Sequence, residues 1–251
     1  MIFIRNHNTP LVKANNQELS YLLLFALIPC YLSSLLFIGY PTREVCLVRQ
    51  SAFGMSFVLS VSCILAKTIT VMIAFNATKP NSNLKKWVGH RLPYCVVVIC
   101  SVIQFIICVT WLSISSPFLD IVMPRNTGKI IIECNECSLL AFWCMLGYMG
   151  FLALVSFVVA FLARNLPDNF NEARHITFSM LIFVSVWLVF IPAYVSTKGK
   201  YMVAVEVFAI TSSSAGILSC IFIPKCYIIV MHPEMNTREY LMGKQQISSR
   251  I

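Results

Sequence analysis

Charge is what this 251-residue chain has least of: Asp, Glu, Lys and Arg together make up 12% of it, where about 25% is usual in a globular domain. Hydrophobic residues make up 58%, more than a single water-facing body can hide inside itself, so lipid is expected to cover part of the surface. The same scarcity excludes a secreted disulfide scaffold, a disordered tail and a coiled coil. The two Asp residues, Asp120 and Asp168, fall in loops, which removes an intramembrane aspartyl protease. His7, His90, His175 and His232 lie in loops or at the ends of apolar stretches, so the triple Ser at Ser212 to Ser214 has no base beside it and a serine protease is excluded as well. No Gly-rich phosphate loop and no Arg at every third position occur, which argues against a nucleotide-driven pump and a voltage sensor.

What the chain does have is length in its apolar runs. Six stretches, Ser20 to Tyr40, Ser51 to Phe75, Leu92 to Ile114, Leu139 to Leu162, Ile176 to Val195 and Met202 to Ile223, each hold about 20 residues or more, enough for a helix to cross a hydrocarbon core of about 30 Å. None alternates apolar and polar residues as a barrel strand does, so the fold class is all-α, a polytopic membrane helical bundle with six spans. Residues 1–19 precede the bundle, 20–230 form it, and 231–251 make a C-terminal tail. Thirteen of the nineteen Lys and Arg residues fall on one side of these spans, which places both termini and the loops around Lys79, Lys85, Lys86 and Arg91 in the cytoplasm. The net charge of +9 then reflects topology and attraction to anionic inner-leaflet lipid, and no nucleic-acid partner is expected.

Eight of the eleven Cys sit in or beside the spans as small packing residues. Cys46, Cys134 and Cys137 remain on the outer side, where one bridge and one leftover thiol are expected. Cys134 and Cys137 form a CxxC, but zinc needs two more ligands and this face adds only Cys46, so no metal is expected. Two ionisable residues lie at membrane depth. Lys67 is about 12 Å inside the cytoplasmic end of its span, either snorkelling or joined to another helix. Glu206 is about 6 Å inside the outer end of the last span, either wetted, paired with Lys198 or Lys200, or lining an outward cavity. Pro29 and Pro192 interrupt two spans and mark points of bending.

The stretch LPDNFNEARHITFSML, residues 166–181, resembles the third cytoplasmic loop and sixth helix of class C G-protein-coupled receptors. NTPLVKANNQELSYLLL is similar to their first cytoplasmic loop and second helix, CLVRQSAFGMSFVLSVSCILAKT to the third, FIPAY to the sixth, and IPKCYIIVMHPEMNT to the end of the seventh. Among subfamilies the chain looks most like type-2 vomeronasal or fish olfactory receptors, near the calcium-sensing receptor. The resemblance implies a seven-helix receptor fold lacking its first helix, without the extracellular agonist-binding module. It implies a chemosensory, non-enzymatic membrane domain that forms receptor dimers in the plasma membrane, works without a cofactor, and passes agonist binding to a heterotrimeric G protein.

By position it also implies a Cys46–Cys134 bridge, with Cys137 a departure from the family, and a cytoplasmic lock between Lys67 and Glu172. It puts Glu206 and Trp187 in a modulator pocket among the helices. The surfaces facing the G protein fall on Lys79, Lys85, Lys86, Arg91, Asn169, Phe170, Asn171 and Arg174. The alternatives are a six-span transporter or channel subunit, for which the spans offer few polar groups besides Lys67, Glu206 and Gln104, and a truncated non-signalling receptor partner.

Overall fold

The computed structural model describes residues 2–14, 16–77, 91–122, 131–164, 172–197 and 200–237. Two short helices, α1 (Ile2–Arg5) and α2 (Pro10–Ala14), lead into six long ones. These are α3 (Gln17–Ile38), α4 (Arg43–Ala77), α5 (Arg91–Ile114), α6 (Leu139–Ala163), α7 (Glu172–Ser196) and α8 (Lys200–Met231). All six are long and apolar enough to cross a membrane, and they are the six stretches expected from hydropathy.

Each long helix is apolar around most of its circumference, because one face meets lipid and the other meets its neighbours. Phe25, Ile28, Leu32 and Leu35 on α3 point outward, as do Val98, Ile99, Phe105 and Ile106 on α5. α4 is the most enclosed of the six, with Phe53, Phe57, Val58, Val61, Ile64 and Ala66 all buried, and stands at the centre of the bundle. Small residues let the backbones approach. A Cβ on Gly54 of α4 would lie 2.7 Å from Gln104 Nε2 of α5 and 3.1 Å from Met145 Sδ of α6. A Cβ on Gly216 of α8 would lie 2.8 Å from Ile182 Cγ2 of α7. The buried hydroxyls of Ser56, Ser60, Thr68, Ser179 and Ser213 donate to carbonyls three or four residues earlier, which satisfies them without a partner helix.

Three helix boundaries differ from those read off hydropathy, in the same way each time. α4 starts at Arg43 rather than near Ser51, α7 at Glu172 rather than near Ile176, and α8 runs through Pro224 to Met231 rather than stopping near Ile223. The added turns carry Arg49, Glu172 and Lys225, charges that lower the local hydropathy but are buried by pairing. The outer loop between α5 and α6 also differs from an open connection. It forms an antiparallel hairpin of β1 (Phe118–Val122) and β2 (Ile131–Asn135), with Leu119 opposite Cys134.

The segment before α3 is folded under the bundle. Phe3 is buried edge-on against Phe222 of α8 with ring centroids 5.4 Å apart, and Leu11 and Val12 are fully buried. The Leu11 N–H donates to Asn236 Oδ1 at 3.0 Å, tying α2 to the turn that follows α8.

The Gly216–Ile182 contact makes a direct prediction. Gly216→Val should lower stability by about 1–3 kcal/mol through overpacking, and Ile182→Ala in the same chain should recover part of the loss. Thermal unfolding in detergent checks this; an unchanged midpoint for Gly216→Val would contradict the close α7–α8 packing.

Candidate functional site

At the end of the bundle expected to face the cytoplasm, the first residue of α7 gathers two cations onto one oxygen. Lys67 Nζ of α4 lies 2.6 Å from Glu172 Oε1, and Lys225 Nζ of α8 lies 2.8 Å from the same atom. Lys67 Nζ also donates to Ser20 Oγ of α3 at 2.9 Å. All four side chains are buried, so four helices meet at one charged group away from water. Glu172 heads its helix, where the backbone dipole favours a carboxylate. The Lys67–Glu172 contact expected from the resemblance is present, and the snorkelling alternative for Lys67 is not what the structure shows. Lys225 and Ser20 were not singled out from sequence: one reads as a positive-inside residue just past a span, the other as an ordinary serine.

At the outer end a second polar group stands over an aromatic floor. Gln50 Nε2 of α4 bridges two carboxylates, Glu206 Oε1 of α8 at 3.0 Å and Glu136 Oε1 of the outer loop at 2.8 Å. Arg49 lies 3.5 Å from Glu136 Oε1, and its guanidinium stands 5.3 Å over the Phe37 ring. Burial pushes the Glu136 carboxyl above its ordinary range, opposed by the charge of Arg49 and the Gln50 amide. Glu206 is buried rather than wetted, and its Oε2 has no hydrogen-bond partner among the described residues; Lys198 and the side chain of Lys200, its expected partners, lie outside them.

Below lies a narrow crevice of about 10 Å³ lined by Phe37, Gln50, Phe53, Trp187, Glu206 and Ile210. Glu206 and Trp187 thus share one cavity. That space is about what one water needs, so a ligand carrying a ring or an amine group enters only if the helices part. The Trp187 indole Nε1 is buried there without a hydrogen-bond partner among the described residues. Trp187 stacks on Phe53 at 5.7 Å and meets Phe57 edge-on at 5.2 Å, so α4 and α7 touch through rings directly under the cavity.

Cys46 at the head of α4 is disulfide-bonded to Cys134 in β2, pinning the hairpin over the outer end of the bundle. Cys137 is free and exposed, at φ 60°, a conformation glycine adopts at little cost and other residues rarely do. Of the residues expected to face a G protein, Arg91 and Arg174 are exposed in the first turns of α5 and α7. Lys79, Lys85, Lys86, Asn169, Phe170 and Asn171 lie outside the described residues. Among the described residues no group of His, Cys, Asp and Glu is arranged to hold a metal ion.

Residues 1–225 match the family described as "7 transmembrane sweet-taste receptor of 3 GCPR". The chain is 53% identical over 238 residues to Vomeronasal type-2 receptor 26 of Mus musculus, covering 95% of this chain and 28% of that protein. It is 51% identical over 250 residues to Vomeronasal type-2 receptor 116 of Mus musculus, covering 100% of this chain and 29% of the relative. With the Extracellular calcium-sensing receptor of Homo sapiens it shares 51% identity over 238 residues, which is 95% of this chain and 22% of that receptor. The chain therefore spans less than a third of the length of these relatives.

Two outcomes check the outer end. Peptide mapping without reduction should recover Cys46 joined to Cys134, with Cys137 modified by a membrane-impermeant thiol reagent; a Cys134–Cys137 link would contradict the structure. Cys134→Ser should cost about 4–5 kcal/mol, since the bridge closes a loop 88 residues apart in sequence, and reduce the folded yield accordingly.

Proposed function

The chain belongs to the class C G-protein-coupled receptor family, multi-pass membrane receptors rather than enzymes, and on that premise we propose that it is the membrane domain through which a chemosensory receptor of the plasma membrane signals to a heterotrimeric G protein. The observation that carries the reading is the buried Lys67–Glu172 pair at 2.6 Å, which joins α4 to α7.

The chemistry is an equilibrium between two arrangements of helices. In the resting arrangement α7 is held at its foot by charge-assisted hydrogen bonds from Lys67 and Lys225. In the signalling arrangement the foot of α7 moves away from α4, opening a surface beside Arg174 to which the G protein binds. An agonist or modulator acts by binding one arrangement more tightly than the other, and its differential affinity sets how far the equilibrium moves. Agonist recognition belongs to the extracellular part of the longer receptors, which act as dimers. The Glu206–Trp187 cavity takes a modulator with a cationic amine and an apolar ring: Glu206 Oε2 faces the cation and the rings of Phe53 and Trp187 face the apolar part. Membership in a receptor family displaces the transporter and channel readings.

Removing one partner from a buried ion pair costs the arrangement that contains it about 3–5 kcal/mol, far more than an exposed pair would. Lys67→Ala should therefore raise agonist-independent nucleotide exchange by roughly fivefold or more at equal surface expression. Glu172→Gln should do the same, and unchanged basal exchange in both variants would overturn the lock. A third variant addresses the cavity: Glu206→Gln should weaken an amine modulator about tenfold or more while leaving basal exchange near wild type. Equal potency on both proteins would remove Glu206 from the modulator site.

A further inference from the structure

Two lysines on one carboxylate oxygen is more than a lock needs. Lys67 Nζ at 2.6 Å and Lys225 Nζ at 2.8 Å share Glu172 Oε1, and two ammonium groups so placed repel each other while both are drawn to the carboxylate. Withdrawal of one therefore strengthens the hold of the other. The surrounding packing decides which one withdraws. α7 and α8 meet closely at Gly216, where a Cβ would stand 2.8 Å from Ile182. α4 instead packs through Gly54 toward Gln104 of α5 and Met145 of α6. Lys67 also has a second hydrogen-bond partner on the α3 side, Ser20 Oγ at 2.9 Å.

We infer that Lys225 is a capture residue: when the foot of α7 leaves α4, Glu172 stays with Lys225 on α8 and Lys67 stays with Ser20 on α3, so only the Lys67–Glu172 contact breaks. This goes beyond the lock and rests on the coupling reading given above. A lone buried pair is expensive to break because the abandoned carboxylate keeps its charge in a place water reaches poorly. With Lys225 beside it throughout, Glu172 retains a cation in both arrangements, and of its two described lysine contacts only the one to Lys67 is lost on opening. Lys225 acts through Glu172 and is a positioning residue. Pro224 immediately before it leaves the carbonyl of Cys220 without its helical N–H partner, the kind of locally weakened backbone at which a helix bends as its neighbour moves.

The two lysines thus have opposite effects on the equilibrium. Lys67 is lost on opening, so its removal favours the open arrangement. Lys225 is kept on opening, when it is the cation Glu172 most depends on, so its removal favours the resting arrangement. The apparent affinity for a partner that binds only the open arrangement scales with the open fraction, which makes even a small population measurable. The test titrates a panel of purified nucleotide-free heterotrimeric G proteins against the full chain in nanodiscs, using preparations in which the Cys46–Cys134 bridge is intact.

Lys67→Ala should bind more tightly than wild type and Lys225→Met about tenfold more weakly, with Lys225→Arg close to wild type. In a Lys67→Ala background, Lys225→Met should have little further effect, because Glu172 then has the same cation in both arrangements. A role for Lys225 in touching the G protein would instead keep the loss in that background, and this result overturns the inference. Tighter or unchanged binding by Lys225→Met, while Lys67→Ala still tightens, also overturns the inference and leaves the lock standing. Absence of binding by every variant overturns the coupling reading and the inference together. Should Lys225→Met fail to fold, Glu172→Gln/Lys225→Met is compared with Glu172→Gln: equal affinity supports capture, because no charge is left to be captured, and weaker binding overturns it.

Discussion

One end of the bundle depends on a single carboxylate oxygen. Glu172 Oε1 accepts from Lys67 of α4 and Lys225 of α8, while Lys67 reaches Ser20 of α3, so the feet of four helices are referred to one buried charge. Taking three charged side chains out of water is costly, and only mutual contact at hydrogen-bond distance offsets it. Such a cluster contributes little to overall stability compared with apolar packing of similar volume. Its value lies in being discrete: it is either assembled or broken, whereas aliphatic contacts elsewhere in the bundle slide and repack by small amounts.

The outer end is built on a different balance. There two carboxylates, Glu136 and Glu206, share one amide donor from Gln50, and Arg49 is the nearby cation, in direct contact with Glu136. Among the described residues this site has one cation, Arg49, for two carboxylates, where the inner site has two cations for one anion. That deficit, together with the unpartnered Glu206 Oε2 above an aromatic floor, makes the crevice receptive to a cation with an apolar body. The Cys46–Cys134 bridge keeps the hairpin and Glu136 over the opening, so the loop is part of the cavity wall. Between the two ends, Phe53 and Phe57 of α4 lie against Trp187 of α7, and Phe183 sits 4.7 Å from Phe57. The helices that the inner charges join are the same ones whose rings meet beneath the cavity.

Much of this was legible in the residues. Six apolar runs on a chain with few charges left no other architecture, and the order of the helices followed from the loops between them. Lys67 and Glu206 stood out because an ionisable group at membrane depth is conspicuous in an apolar run. The charges around them were hidden from hydropathy for the opposite reason, and only the family resemblance pointed to Glu172. Arg49, Glu172 and Lys225 sit in the turns that hydropathy trims from the ends of spans, since a buried and paired charge reads in sequence like a solvated one. Gln50 and Ser20 carry no charge at all, and only the packing of α3, α4 and α8 brings them to the sites. The hairpin between α5 and α6 was obscured by its short strands, five residues each, too brief for alternation to be distinctive.

The central claim is that Glu172 holds the cytoplasmic foot of α7 against α4. The most direct measurement is the distance between probes placed through unnatural amino acids at positions 70 and 174, in the chain reconstituted in bilayers, with and without Glu172→Gln. The account predicts a longer mean separation and a broader distribution in the Glu172→Gln protein. Superimposable distributions would show that the buried charges are not what keeps the two helices together.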